Sequence, residues 1–240
     1  MKISRFAAGL LAAWLTAGSC AAIASAAEAD PPCATPAPLV AKFRVTLTAP
    51  GAAPKRSQEW WFLRGAGELV LTKPGVSEVW RCEGESGVSL ERVFHADRRV
   101  VEYPAGELRA LHIEPSWPAL ATLFDERKLP RLRPAGTQRL GSHRFLRYRG
   151  TLDGERIDLA WDPVARLPAR MLRSKGRESA LFERLEAHAT APAGWPVAGA
   201  AAADYRRVDA ADFGDMEYDA FVRKAEARDV AAGWRDRHGH

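Results

Sequence analysis

Residues 58–82 read QEWWFLRGAGELVLTKPGVSEVWRC, and this stretch decides the fold class. It holds three short runs rich in β-branched, aromatic and aliphatic residues: Gln58 to Arg64, Glu68 to Thr72 and Val76 to Cys82. Turn formers separate them at Gly65-Ala66-Gly67 and Lys73-Pro74-Gly75. Links this short cannot carry the chain back for a parallel crossover, so the runs must be antiparallel neighbours in a meander.

The pattern extends in both directions. Upstream, Phe43, Val45 and Leu47 alternate with Lys42, Arg44, Thr46 and Thr48, the period of a half-buried strand over Ala41 to Thr48. Downstream, Val88 to His95 and Arg98 to Tyr103 continue the meander beyond Gly84-Glu85-Ser86-Gly87 and Ala96-Asp97. At Ser116-Trp117-Pro118 the pattern breaks: Ser116 can cap and Pro118 can open a short helix carrying Leu120, Leu123 and Phe124. A basic link from Lys128 to Gly136 then leads to strands over Thr137 to Tyr148, Glu155 to Trp161, Ala169 to Arg173 and Ser179 to Ala189. Asp153-Gly154 is the strongest hairpin signal in the chain.

Beyond Pro192 the chain is Ala- and Gly-rich and then acidic, and Asp219 can cap a final helix bearing Phe221, Ala225 and Val230. The sum is a mainly β (α+β) protein: some nine or ten antiparallel strands, a short inserted helix and a C-terminal helix. The expected divisions are a signal peptide at 1–26, a Pro/Ala-rich arm at 27–38, a β-rich domain at 39–192, and an acidic linker with the C-terminal helix at 193–240.

The N-terminus has the secretory layout. Lys2 and Arg5 precede an apolar stretch from Phe6 to Ala24, and Ala24-Ser25-Ala26 is a small-x-small site, so cleavage after Ala26 and a periplasmic location are expected. Two alternatives stay open: the stretch is retained as an anchor, or Ala17-Gly18-Ser19-Cys20 is a lipidation site that makes a lipoprotein anchored at Cys20. Two cysteines remain after cleavage, Cys33 and Cys82, and an oxidising compartment favours a disulfide pinning the arm to a strand; two free thiols are the alternative. Losing Lys2 and Arg5 takes the formal charge from +5 to +3, too mild to argue for nucleic acid. The basic stretches Arg127 to Arg133 and Arg139 to Arg149 read as solvated faces, with a weak contact to anionic headgroups left open.

No constellation argues for catalysis. Asp215, Glu217, Asp219, Phe221, Arg223 and Glu226 fall at calcium-loop offsets, but Ala220 replaces the turn glycine and Arg223 puts a cation at a ligand offset, so an acidic helix entry is the reading. The six histidines have no zinc-like spacing, and there is no nucleophile elbow or phosphate loop. Asp158 and Asp162 form only the kind of carboxylate pair that any acid-rich chain offers. The expectation is therefore no metal, no cofactor and no enzyme activity, with a hydrolase of unrecognised type as a second alternative. Trp60 and Trp61 are adjacent and must point to opposite faces of their strand, so either both faces are covered or one ring meets a ligand or partner.

The run Gly67-Glu68-Leu69-Val70-Leu71-Thr72-Lys73-Pro74-Gly75, followed by Trp80, resembles a stretch of the periplasmic outer-membrane lipoprotein carriers, the LolA-like proteins. Ile157-Asp158-Leu159-Ala160-Trp161-Asp162-Pro163 through Leu167-Pro168-Ala169-Arg170 is similar to a strand–turn–strand of those carriers and of the related periplasmic stress-sensor proteins. The resemblance implies a half-open barrel, a curved antiparallel sheet whose concave apolar face accommodates acyl chains. The sequence departs from the family in having the Pro-rich arm in place of an initial helix. It also has Val79 in place of the arginine before the tryptophan, so the carriers' closing interaction is not implied.

The expected role is binding of an apolar or amphipathic ligand, or a lipidated partner, with Phe43, Val45, Trp60, Phe62, Leu69, Leu71, Trp80, Phe94 and Trp161 lining the concave face. The alternative is a non-catalytic structural or accessory protein docking on a membrane-associated complex.

Overall fold

The structure is a computed structural model that describes residues 33–48, 56–140, 143–196 and 202–234. The signal segment, the cleavage site at Ala26 and the lipidation candidate Cys20 lie outside the described residues. Six strands open the chain: β1 (Leu39–Thr48), β2 (Arg56–Arg64), β3 (Glu68–Lys73), β4 (Val76–Cys82), β5 (Val88–Phe94) and β6 (Arg99–Tyr103). Helices α1 (Ala105–Ala110) and α2 (Trp117–Thr122) and a 3₁₀ turn (Glu126–Arg131) follow. Then come β7 (Arg133–Leu140), β8 (His143–Leu152), β9 (Glu155–Asp162), β10 (Leu167–Lys175) and β11 (Glu178–His188). A short β12 (Arg206–Asp209), a 3₁₀ segment (Ala210–Met216) and α3 (Ala220–Ala231) complete it.

Among the described residues all twelve strands form one curved sheet that does not close, in the order β12-β6-β5-β4-β3-β2-β1-β11-β10-β9-β8-β7. Both runs of the meander are antiparallel, and β1 joins them by pairing with β11 in the same sense. The one parallel pairing is β12 on β6. Asp153 and Gly154 both have positive φ, 51° and 80°, the turn geometry that Asp-Gly favours between β8 and β9.

Three features differ from the sequence reading. The single strand expected over Thr137 to Tyr148 is two strands, β7 and β8, paired antiparallel on either side of residues 141–142. The expected link from Lys128 to Gly136 is the 3₁₀ turn and the start of β7. Helix α1 was not foreseen, because six residues bury only Ala105 and Leu108, too few to establish a helical period. Elsewhere local chemistry acts as expected: the Ser116 hydroxyl accepts from the Ala119 amide at the start of α2, and the Asp219 carboxylate accepts from the Phe221 amide at the start of α3.

The core lies on the concave face. Leu39, Ala41, Phe43 and Val45 of β1, Phe62, Leu69, Trp80, Leu90, Phe94, Val101 and Tyr103 from its neighbours pack against Leu108, Trp117 and Ala121 of the inserted helices and Phe221, Val222 and Ala225 of α3. The convex face is partly covered as well, where Ala202 and Tyr205 pack on Val70, Val79, Val93 and Val100. Cys33 and Cys82 form a disulfide, Cα atoms 5.7 Å apart, that ties the N-terminal arm to β4.

An arginine holds the two halves together. Arg64 ends β2 on the concave face with 2% of its surface exposed. Its guanidinium donates to the carbonyls of Ala37 in the arm (3.0 Å), Ala121 in α2 (3.0 Å), and Ala165 (2.7 Å) and Arg166 (3.4 Å) in the β9–β10 turn. Burial, with the nearby Arg166 cation, lowers its pKa to about 10. Carbonyl dipoles, including one from the C-terminal turn of α2, carry the balance.

Replacing Arg64 by Met should therefore leave several buried carbonyls unmet and cost about 3 kcal/mol in urea unfolding at neutral pH, with Lys intermediate. Reducing the disulfide should cost at most about 4 kcal/mol on the chain-entropy account. The Arg64→Met loss should persist in the reduced protein if the two fastenings act separately.

Candidate functional site

The concave face is covered unevenly. Over β4, β5 and β6 it is filled by α3, and over the ends of β1, β2 and β9 by α2 and the Arg64 contacts. Between these covers, the inner side of β9, β10 and β11 is open in two adjoining recesses that share Glu155 and Arg173. One, of about 310 Å³, lies under α2 and the following turn, with Leu120, Leu123, Phe124 and Ile157 in its walls. The other, of about 610 Å³, runs from Leu47, Ala180 and Phe182 to Ala231 at the end of α3.

The rim of this groove is charged and largely self-paired. Lys128 donates to Asp153 (2.8 Å) and Arg173 to Glu155 (2.6 Å), while Lys175 and Glu178 stand at the hairpin end. The groove is thus of mixed character, apolar at Leu120, Leu123, Phe124, Ile157 and Phe182 and polar at Glu155, Arg173, Ser174, Lys175, Glu178 and Ser179, a form that can take a chain-like ligand with a polar end.

The nine expected lining residues fall on one side of the sheet. Phe43, Val45, Phe62, Leu69, Trp80 and Phe94 belong to the main concave core, with Trp60 and Leu71 packed against it. Trp161 sits in the adjoining cluster with Ile157, Leu159 and Met171. Phe182 packs against both clusters and meets the Trp60 ring edge-on at 5.6 Å, so it joins the groove to the core. Trp60 Nε1 is buried and has no hydrogen-bond partner among the described residues. Most of the nine lie beneath helices, and the open walls are instead Leu120, Leu123, Phe124, Ala180 and Phe182.

Leu120, Leu123 and Phe124 were missed because the face a short helix turns to a sheet is not written in its own few residues, and Ala180 and Phe182 because which strands stay uncovered is set by the helices. A clearer signal was available for the charged ones. Arg64, Glu78 and Arg92 each stand in phase with the buried residues of their strands, where the period calls for an apolar side chain.

Trp60 and Trp61 do point to opposite faces, and both faces are covered there. Trp61 borders a small convex pocket of about 80 Å³ with Val40, Leu63, Val70 and Trp195, under residues 191–196. Of the possible calcium ligands, Asp219 is engaged with Arg99 (2.8 Å) and caps α3. Among the described residues no three His, Cys, Asp or Glu side chains gather as a metal site would require.

A separate recess of about 550 Å³ lies at the start of β1 and the end of β11, with Phe145, Val164, Ala169, Arg184 and His188 among its walls. Asp162 pairs there with Arg184 at 2.6 Å, and its other oxygen accepts from the amides of Val164 and Ala165. Burial alone would raise the Asp162 pKa, but the Arg184 hydrogen bond and the two amides outweigh it and hold the carboxyl below 3.8.

No family model matches the chain, and no curated protein matches it. Among solved structures it is similar to PNGF-II at 10% identity and TM-score 0.41, over 76% of this chain and 34% of that one. It is similar to MucB in the MucA/MucB complex of Pseudomonas aeruginosa at 16% identity and TM-score 0.33, over 65% and 53% of the two chains. A LolA superfamily protein from Nitrosomonas europaea is similar at 8% identity and TM-score 0.31, over 65% of this chain and 87% of that one. The chain therefore spans about a third of the PNGF-II chain and about half of the MucB chain.

The Asp162–Arg184 pair has a testable pH signature. A depressed carboxylate pKa contributes stability above its unfolded value, 3.8, that is lost as pH falls through the lower folded value. Thermal melts of the wild type should fall steeply below about pH 4, and Asp162→Asn should flatten that limb while lowering stability at pH 7.

Proposed function

We propose that this chain is an exported envelope protein that binds an apolar or amphipathic ligand, or the acyl group of a lipidated partner, in the groove between α2 and α3, and does so without catalysing a reaction. The observation that carries this reading is the open stretch of concave sheet, with an apolar patch beside charged and hydroxyl-bearing walls and the size of a small-molecule site. Export is supported by the Lys2-to-Ala26 layout of the sequence, and the disulfide fits an oxidising compartment.

A structural or accessory role is the second reading, and one feature favours it. Most of the concave face is occupied by the protein's own α2 and α3, which leaves the convex face and the sheet edges for a partner.

The two readings differ in whether a ligand travels with the protein. Native mass spectrometry of protein taken from the periplasm should find co-purified lipid, and a fluorescent fatty acid should bind and be displaced by long-chain competitors. Ala180→Trp, placed in the wider recess, should fill it and weaken the probe at least tenfold without changing the melting temperature by more than a few degrees. Absence of lipid together with absence of probe binding would leave the accessory role.

A further inference from the structure

Beneath α3 the floor of the half-barrel carries charge where a strand pattern calls for apolar residues. Lys73, Glu78 and Arg92 follow one another across β3, β4 and β5 on the concave side. Lys73 lies over the Trp60 ring at 5.0 Å and pairs with Glu78 at 2.9 Å, and Arg92 stands 3.9 Å from the other Glu78 oxygen. Two cations and one carboxylate leave these three residues one positive charge in excess, and Arg228 of α3, its pKa lowered by burial and by Arg92, adds a further cation beside them.

Helix α3 also supplies an anion to this cationic floor. Asp229, with none of its surface exposed, accepts from Arg92 Nη1 and from the Tyr103 hydroxyl, and the Trp234 ring covers the guanidinium at 4.3 Å. Two features indicate that this carboxylate serves the sheet rather than its own helix. Asp229 lies in the last turn of α3, where the helix dipole opposes a negative charge. The fit to Arg92 is also incomplete, because Arg92 Nε is buried with no hydrogen-bond acceptor among the described residues.

The helix itself is lightly held. Of its twelve residues only Phe221, Val222 and Ala225 bury apolar side chains, and Lys224–Asp97 and Arg99–Asp219 are pairs near the surface. Its C-terminal end, at Ala231, borders the wider recess of the groove, and the floor continues from Phe182 through Trp60 and Lys73 to Glu78 and Arg92.

Resting on the groove reading above, we propose that Arg92 and Tyr103 form a binding site for an anionic headgroup, that Asp229 occupies this site as an internal substitute, and that an acyl chain bearing a carboxylate or phosphate displaces α3 by replacing Asp229. The ligand class is then an anionic amphiphile. An uncharged one occupies the groove and leaves the helix seated.

The test uses the full chain and two probes, anthroyloxy-stearate and its methyl ester. Asp229→Asn should strengthen the carboxylate probe at least tenfold and leave the ester unchanged. Ala227→Gly changes an exposed position that touches neither site and weakens the helix, so it should strengthen the carboxylate probe about fivefold and the ester not at all. This second variant keeps the test valid if Asp229→Asn fails to fold.

Arg92→Gln should bring the carboxylate down to the affinity of the ester. In the wild type, amide exchange over 220–231 should quicken with the carboxylate and not with the ester. Equal gains for both probes, or none in Ala227→Gly, overturn the displacement while leaving the groove in place. Failure of both probes to bind any variant removes the groove reading and this one together.

Discussion

A single guanidinium draws together segments that the chain order keeps far apart. Arg64 gathers carbonyls from the arm, from α2 and from the β9–β10 turn, the last about a hundred residues away in sequence. The β9–β10 turn adjoins β10, the third strand from β2 within the sheet, with β1 and β11 intervening. For one side chain at the end of β2 to reach it, the sheet must curl inward at that end. The same contact seats α2 and the arm, so curvature, one cover of the concave face and the placement of the N-terminal arm are coupled through it. A buried cation met by carbonyls rather than a carboxylate has few alternative partners, which makes the arrangement specific.

Curvature then sets the packing problem that the rest of the chain solves. An incomplete barrel has an apolar inner surface too wide for its own side chains to fill. Two separate insertions cover it: α1, α2 and the 3₁₀ turn between β6 and β7, and α3 after the last strand. To return to that inner face the chain first passes over the convex side, where Ala202 and Tyr205 seal Val79, Val93 and Val100, and then adds β12 in parallel beside β6. The groove is what remains where neither insertion reaches. Its mixture of apolar and charged walls follows from lying between a sheet interior and two helix margins.

The two covers differ in physical character. The α2 cover is fastened by Trp117, Ala121 and the Arg64 hydrogen bonds, close to the disulfide that fixes the arm. The α3 cover rests on a thin apolar stripe and a buried ion pair whose anion is poorly placed for its own helix.

The sequence by itself determined the strands, because period and turn chemistry are local. The stretch from Gln58 to Cys82 gave three strands at nearly their observed limits, Asp153-Gly154 gave its hairpin, and Ser116 and Asp219 gave their caps. Strand parity also placed Phe43, Val45, Phe62, Leu69, Trp80 and Phe94 together on one face, since that requires only alternation.

Tertiary structure alone decided which part of that face stays open. The division of Thr137 to Tyr148 into two strands, the parallel docking of β12, and the meeting of Arg92 with Asp229 at a separation of 137 residues depend on partners that no local window contains. The charged residues at apolar positions were visible in the sequence, but their meaning was not. A buried charge is defined by what neutralises it, and here that group lies at the other end of the chain.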